Sequence, residues 1–390
     1  MLKELKSLET YEICPERGFL PSTDPLQKLP DAFAAWEQAA GELPKLLVSD
    51  RIRSLLERLP LLDPSALSTK AQKERAMMLL SYLGHAYVWG ESAPLEELPE
   101  VIAVPWHKVA GELGRPPVLS YASYALSNWR RLDSDGPIAC GNIALLQNFL
   151  GGIDEEWFIL IHVDIERQAA PAIATIPGAL KAAQAGDEQG TSAALKLVGD
   201  SLDAMNRVMD RMPLHCDPYC YYNRVRPYIH GWRDNPALPA GLKYAGVGEY
   251  GGKPQFFRGE TGAQSAIVPA LDALLGVGHK DDPLLHYLRE MRDYMPPAHR
   301  SFIEDIEAVG SLRDFAAKAA KGNAELRDNY NRCVTLLGKF RTTHLDYASS
   351  YIDKQKQTSA NNPTKVGTGG TPFMVYLKKH RDETDSFLIG

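Results

Sequence analysis

The sequence predicts a mainly helical protein, with a large all-helical domain over residues 150–390 and a smaller, mostly helical domain over residues 1–149. Three observations carry that reading. Apolar residues recur at steps of three and four along several long segments. Strand-like alternation is rare. The first 149 residues are richer in proline and have shorter apolar stretches than the rest. At 390 residues the chain is long enough for a large core and more than one domain.

Residues 69–89 (TKAQKERAMMLLSYLGHAYVW) read as the first long helix. In residues 192–212, Leu195, Val198, Leu202, Met205, Met209 and Met212 share one helical face, with Asp200, Asp203, Arg207 and Asp210 mainly off it. Shorter helices are predicted over residues 265–276 and 282–294. The most informative helix covers residues 324–352. Leu326, Tyr330, Cys333, Leu337, Phe340, Tyr347 and Tyr351 form an inward stripe, His344 fills its one gap, and Arg332, Lys339 and Asp346 face away. An inward histidine is either a satisfied core side chain or, on a long rigid helix, an axial ligand for a haem iron. The helix alone leaves both open.

Two segments read as working loops. Residues 251–264 (GGKPQFFRGETGAQ) are glycine-rich and polar, and residues 353–371 end in GTGGT after the polar run KQKQTSANNPTK, which is expected to be mobile. GTGGT allows close backbone approach to a ligand, but it lacks the spacing and lysine of a phosphate loop. The net charge of -6 offers no general basic surface for nucleic acid. Neither a leader peptide nor an apolar membrane run is evident, so a soluble, cytoplasmic protein is expected. Five scattered cysteines fit free thiols in a reducing compartment. His215, Cys216 and Cys220 could begin a zinc knuckle, but no second pair completes four ligands.

Several segments, in order, resemble the indoleamine 2,3-dioxygenase family: AYVWG (86–90), IAVP (102–105), RPYIHGW (226–232), FRGETGAQS (257–265), MPPAHR (295–300), the His344 helix and the GTGGT loop. The resemblance covers nearly the whole chain. It implies one haem b in the large domain, with His344 as the proximal iron ligand. Arg226 matches the arginine that pairs with the substrate carboxylate, a task suited to a planar two-pronged donor. Thr368, with Gly367 beside it, matches the mobile loop that closes over the substrate ammonium. Arg341 matches a residue near a haem propionate, Asp272 a carboxylate on the proximal side, and Thr261 and Gly262 fall in the segment against the cofactor.

The distal wall matches Tyr121, Tyr124, Phe158, Ile159, His162 and Tyr221. Here the chain departs from the animal enzymes, which have a small hydroxyl residue at His162, phenylalanines at Tyr221 and Tyr222, and a cysteine at Tyr124. A distal histidine resembles the related tryptophan 2,3-dioxygenases. The implied reaction inserts O2 across the indole C2=C3 bond of L-tryptophan, or a related indole, to give N-formylkynurenine, with His162 placed to contact the indole N–H. The departures keep two alternatives in view: an indole monooxygenase or modified-indole dioxygenase, and a haem protein that senses or stores O2 without turnover. The oligomeric state is left open.

Overall fold

The computed structural model describes residues 4–278, 280–355 and 362–390. Part of the polar run expected to be mobile, residues 356–361, lies outside the described residues. The helices that position the site are α1 (Lys70–Trp89), α2 (Glu100–Leu113), α3 (Ile153–Gln184), α4 (Glu188–Met209), α5 (Ile267–Leu275), α6 (Pro283–Met291), α7 (Ala324–Ala348) and α8 (Phe373–Asp385). Among the described residues the strands are two-residue pairs: Glu97–Leu98 runs parallel to Lys243–Tyr244, and Arg130–Arg131 antiparallel to Ile143–Ala144. No described helix is long and apolar enough to cross a membrane.

The start of α1 is fixed locally. The Thr69 hydroxyl accepts the Gln72 amide at 3.2 Å and the Gln72 side chain accepts the Thr69 amide at 3.3 Å, a reciprocal cap that satisfies two otherwise orphaned donors. From Arg75 onward α1 is buried on every side, as its nearly continuous apolar run requires. Thr69→Ala is expected to lower stability by about 1 kcal/mol, read as a lower denaturant midpoint with an unchanged slope. An unchanged midpoint would show that α1 is held by packing alone.

The inward face of α4 is the one the sequence specified: Leu195, Val198, Leu202, Met205 and Met209 are all buried, as is Met212 in the 3-10 turn that follows. That face serves two neighbours, because α4 packs against both α3 and α7, and α7 in turn against α8. Beyond Ala348 the predicted 324–352 helix continues as a π-helical turn over Ser349–Asp353. Similar π turns occupy Ala122–Leu126 and Tyr221–Val225.

Buried apolar residues form two clusters. One is built largely from residues up to Phe149, joined by Ile159, Leu160 and Val163 of α3, by Ile229, Trp232 and Tyr244, and by Leu284 to Tyr294; the other is built on α3, α4, α5 and α7, joined by Tyr11, Ile13 and Phe19. A division near residue 149 remains a proposal, since both cores draw on both sides of it.

Candidate functional site

A large cavity lies among α3, α4, α5, α7 and α8 and contains about 1860 Å³ of space between protein atoms, counting its open mouth. Its floor is apolar, with Met205 and Met209 from α4, Ile267 and Val268 from α5, and Phe340 and Ala348 from α7.

One imidazole projects from α7. His344 keeps accessible surface and lines this cavity. Burial, helped by the field of His162, pushes its pKa down to about 4, so the ring is neutral at pH 7 with a lone pair available. Among the described residues it makes no hydrogen bond. One turn earlier, Arg341 pairs with Asp272 of α5 at 2.5 Å and donates to Thr384 of α8, which ties three helices together beside His344.

His162 of α3 supplies the other histidine. Its Nδ1 lies 2.7 Å from the Phe158 carbonyl oxygen. A carbonyl only accepts, so Nδ1 carries the proton, and Nε2 is left as an acceptor. Burial lowers the His162 pKa, which keeps that ring neutral as well. Phe158 packs on His162 at 4.8 Å and on Tyr221 at 4.6 Å, and Tyr121 approaches from a third side at 6.0 Å. Tyr121 is pinned by its hydroxyl to Glu166 at 3.0 Å and by its amide to Gln264 at 2.9 Å. Glu166, one turn beyond His162, also accepts Ser265 at 2.8 Å, and burial raises its carboxyl to about 7.

The roof is made by two glycine-bearing segments that cross backbone to backbone. A Cβ at Gly231 would sit 2.1 Å from the Gly259 nitrogen, and one at Gly259 would sit 2.2 Å from the Gly231 nitrogen. The GTGGT turn rests on this crossing. The Thr368 hydroxyl donates to the Glu260 carbonyl, Arg258 donates to the Gly369 carbonyl at 2.6 Å, and Gly370 takes a left-handed φ of 82° beside the Arg233 carbonyl.

Of the residues singled out from sequence, Tyr121, Phe158, His162, Tyr221, Thr261, Gly262, Asp272, Arg341, His344, Gly367 and Thr368 all line this one cavity. Tyr124, Ile159 and Arg226 do not. Tyr124 stands behind Phe158 at 6.4 Å, fully buried. Arg226 is buried behind the wall, over the Tyr222 ring, and donates to Asn362, to the Pro363 carbonyl at 2.9 Å and to the Val366 carbonyl at 2.6 Å. Its partners are neutral and its Nε is unpartnered among the described residues. Burial lowers its pKa to about 10, so it stays a cation at pH 7. Sequence reasoning missed Glu260, which lines the cavity inside the quoted FRGETGAQS segment, and His380, Tyr287 and Tyr376. Among the described residues no group of three or more His, Cys, Asp or Glu is placed to hold a bare metal ion, the His215–Cys216–Cys220 stretch included.

The donor set suits a metal macrocycle. One neutral imidazole faces an apolar, roomy cavity, and such a macrocycle brings its remaining ligands with it. Thr261 and Arg341 also line the cavity and are the polar side chains that would stand near its acidic groups.

Comparisons with known proteins agree with this geometry. The model of the indoleamine 2,3-dioxygenase family matches residues 7–387. Indoleamine 2,3-dioxygenase 2 of Homo sapiens is 35% identical over 391 residues, covering 97% of this chain and 94% of that protein. Indoleamine 2,3-dioxygenase 1 of Rattus norvegicus is 36% identical over 396 residues, covering 98% and 96%. A 6-hydroxytryptophan 2,3-dioxygenase of Fusarium equiseti is 31% identical over 398 residues, covering 97% of each.

Proposed function

The chain belongs to the indoleamine 2,3-dioxygenase family and is a tryptophan or indole dioxygenase; on that premise we propose that it holds haem b through His344 and opens the indole ring of L-tryptophan beneath His162. The observation that supports this best is two neutral histidines, from α7 and α3, lining one cavity, with His162 near enough for its field to reach His344.

When bound, haem supplies the iron at which O2 is activated. The chain's own residues do the rest. His344 holds the cofactor. Phe158, Tyr121 and Tyr221 orient the indole plane and exclude water. Nε2 of His162 accepts a hydrogen bond from the indole N–H, while the Phe158 carbonyl keeps the other proton on Nδ1. Thr368 and Arg226 address the polar end of the substrate. A buried guanidinium balanced only by neutral oxygens is suited to an anion, and exchange of the 363 and 366 carbonyls for a carboxylate would bring it one. Such positioning lowers barriers by up to ~7–11 kcal/mol in well-oriented systems. The net reaction adds both atoms of O2 to tryptophan and needs no external electrons or protons. All five cysteines are free thiols, which fits a reducing compartment such as the cytoplasm.

The test is aerobic incubation of the reduced, haem-loaded protein with L-tryptophan under isotopic O2. Appearance of N-formylkynurenine with two labelled oxygens is expected. One labelled oxygen would make it a monooxygenase, and no product from any indole would leave an O2-binding protein.

His162 has its own test. His162→Ser is expected to slow turnover of tryptophan more than that of 1-methyltryptophan, which has no N–H to offer. Serine also opens space, so His162→Gln serves as the bulkier control. Equal losses on both substrates would assign the ring to cavity shape.

A further inference from the structure

We infer that Glu260 is a substrate-recognition residue, the counter-charge for the ammonium group of an indole amine held in the cavity; this rests on the reading that an indole substrate occupies that cavity. Glu260 is only 4% exposed, and its side chain lines the same chamber as His162, Phe158, Tyr121 and Tyr221. Its backbone is fully used: the amide donates to the Ile229 carbonyl at 3.1 Å, and its carbonyl accepts Thr368. Its carboxyl has no hydrogen bond and no ion pair among the described residues. The charged or titratable groups that feel it are four phenols, Tyr82, Tyr121, Tyr124 and Tyr221.

The nearby cations are engaged elsewhere. Arg258 pairs with Glu290 at 2.9 Å and Asp234 at 3.3 Å, Arg341 pairs with Asp272, and Arg226 is bonded to the 362–366 segment. The other buried acids of this region do have partners. Glu155 accepts three backbone amides, of Phe149, Leu150 and Gly151, and Oε1 of Glu166 accepts two hydroxyls, although its Oε2 accepts none among the described residues. An acid buried without a partner is costly to the fold, and such a group is stabilised when an opposite charge is brought to it. Glu260 and Thr368 line the chamber together, joined through the Glu260 backbone carbonyl. A protonated amine supplies both the charge and the donors that the wall leaves unmatched.

Burial alone lifts the Glu260 carboxyl from 4.5 to about 8. Without a ligand it is therefore mostly protonated at pH 7, and pairing with an ammonium expels that proton. The sign for stability follows. The unfolded chain ionises this group near 4.5 and the folded chain near 8, so the wild type loses stability as pH rises between those values.

The experiment uses the haem-loaded protein and three probes: L-tryptophan, tryptamine (amine, no carboxylate) and 3-indolepropionate (carboxylate, no amine). Binding is read from the haem absorption shift, and proton release from calorimetry in two buffers of different ionisation enthalpy. Glu260→Gln is expected to weaken tryptamine at least tenfold, to change 3-indolepropionate less than twofold, and to abolish the proton released when tryptamine binds the wild type at pH 7. Glu260→Leu, should the first variant pack poorly, is expected to do the same. Both variants are expected to melt higher than wild type at about pH 8 and alike at about pH 4. Equal losses for tryptamine and 3-indolepropionate, or proton release that survives in Glu260→Gln, would overturn the assignment. Wild-type turnover of tryptophan, measured alongside, reports separately on whether an indole occupies the cavity at all.

Discussion

Replacing His344 by alanine is expected to reduce the haem retained by the purified protein at least tenfold while leaving the helical circular-dichroism signal unchanged. The side chain faces the cavity rather than a packed neighbour, so its removal breaks no core contact and leaves no buried polar group orphaned. The helix beneath it is held independently. Arg341 bonds α7 to α5 and α8, Tyr330 donates to the Leu275 carbonyl at 2.7 Å, and Asn206 donates to the Leu336 carbonyl at 3.0 Å. What is lost is the lone pair of a neutral imidazole, which burial keeps unprotonated down to about pH 4. Free imidazole fits the space the side chain vacates and is expected to restore the histidine-ligated ferrous and carbon monoxide spectra. A His344→Ala protein with wild-type haem content and unaltered spectra would show that another residue holds the iron.

That histidine was legible because α7 presents a clean helical stripe with one polar interruption. The same clarity made α4 readable, and Met205 and Met209 on its stripe turn out to floor the cavity. The longest helix, α3, was not read as a helix, and its residues explain why. It is buried on several sides, so Ile159, Leu160, Ile161, Val163 and Ile165 give no single face. Its acids Glu155, Asp164 and Glu166 look like a solvent face in sequence but are buried. Glu155 accepts the amides of Phe149 to Gly151 just before the helix, whereas Asp164 and Glu166 find partners that only the tertiary fold supplies: Asp164, for example, accepts the Cys140 amide at 2.9 Å. Pro171 and Pro177, which disfavour a helix interior, both fall inside it, with Pro171 on the exposed side. For the same reason the facing of His162 and His344, and the isolation of Glu260, were invisible. They depend on how α3, α7 and the 257–265 segment meet, which no local pattern encodes. The resemblance to a family supplied the pairing; the structure supplied the tautomer of His162 and the neutral partners of Arg226.

Arg226→Ala is expected to leave haem content intact and to weaken tryptophan binding by about 2–5 kcal/mol, the cost of removing one partner of a desolvated charged contact. That corresponds to roughly 30-fold to several thousand-fold in affinity. The structure gives this arginine two possible means of action. As a buried cation with an unpartnered Nε and no acidic partner, it is suited to a substrate carboxylate. Through Asn362, Pro363 and Val366 it also fastens the segment that leads into the GTGGT turn. The two roles separate by ligand. If Arg226 meets the carboxylate, 3-indolepropionate and tryptophan lose affinity together and tryptamine is spared. If it acts by fastening the segment, tryptamine loses as much as tryptophan, and proteolytic cleavage near residues 362–371 accelerates in the variant. Arg226→Lys sharpens the distinction, because lysine keeps the charge but not the planar fork. It should recover part of a carboxylate contact through charge alone, while failing to span the carbonyls of residues 363 and 366 that the two guanidinium nitrogens now bridge.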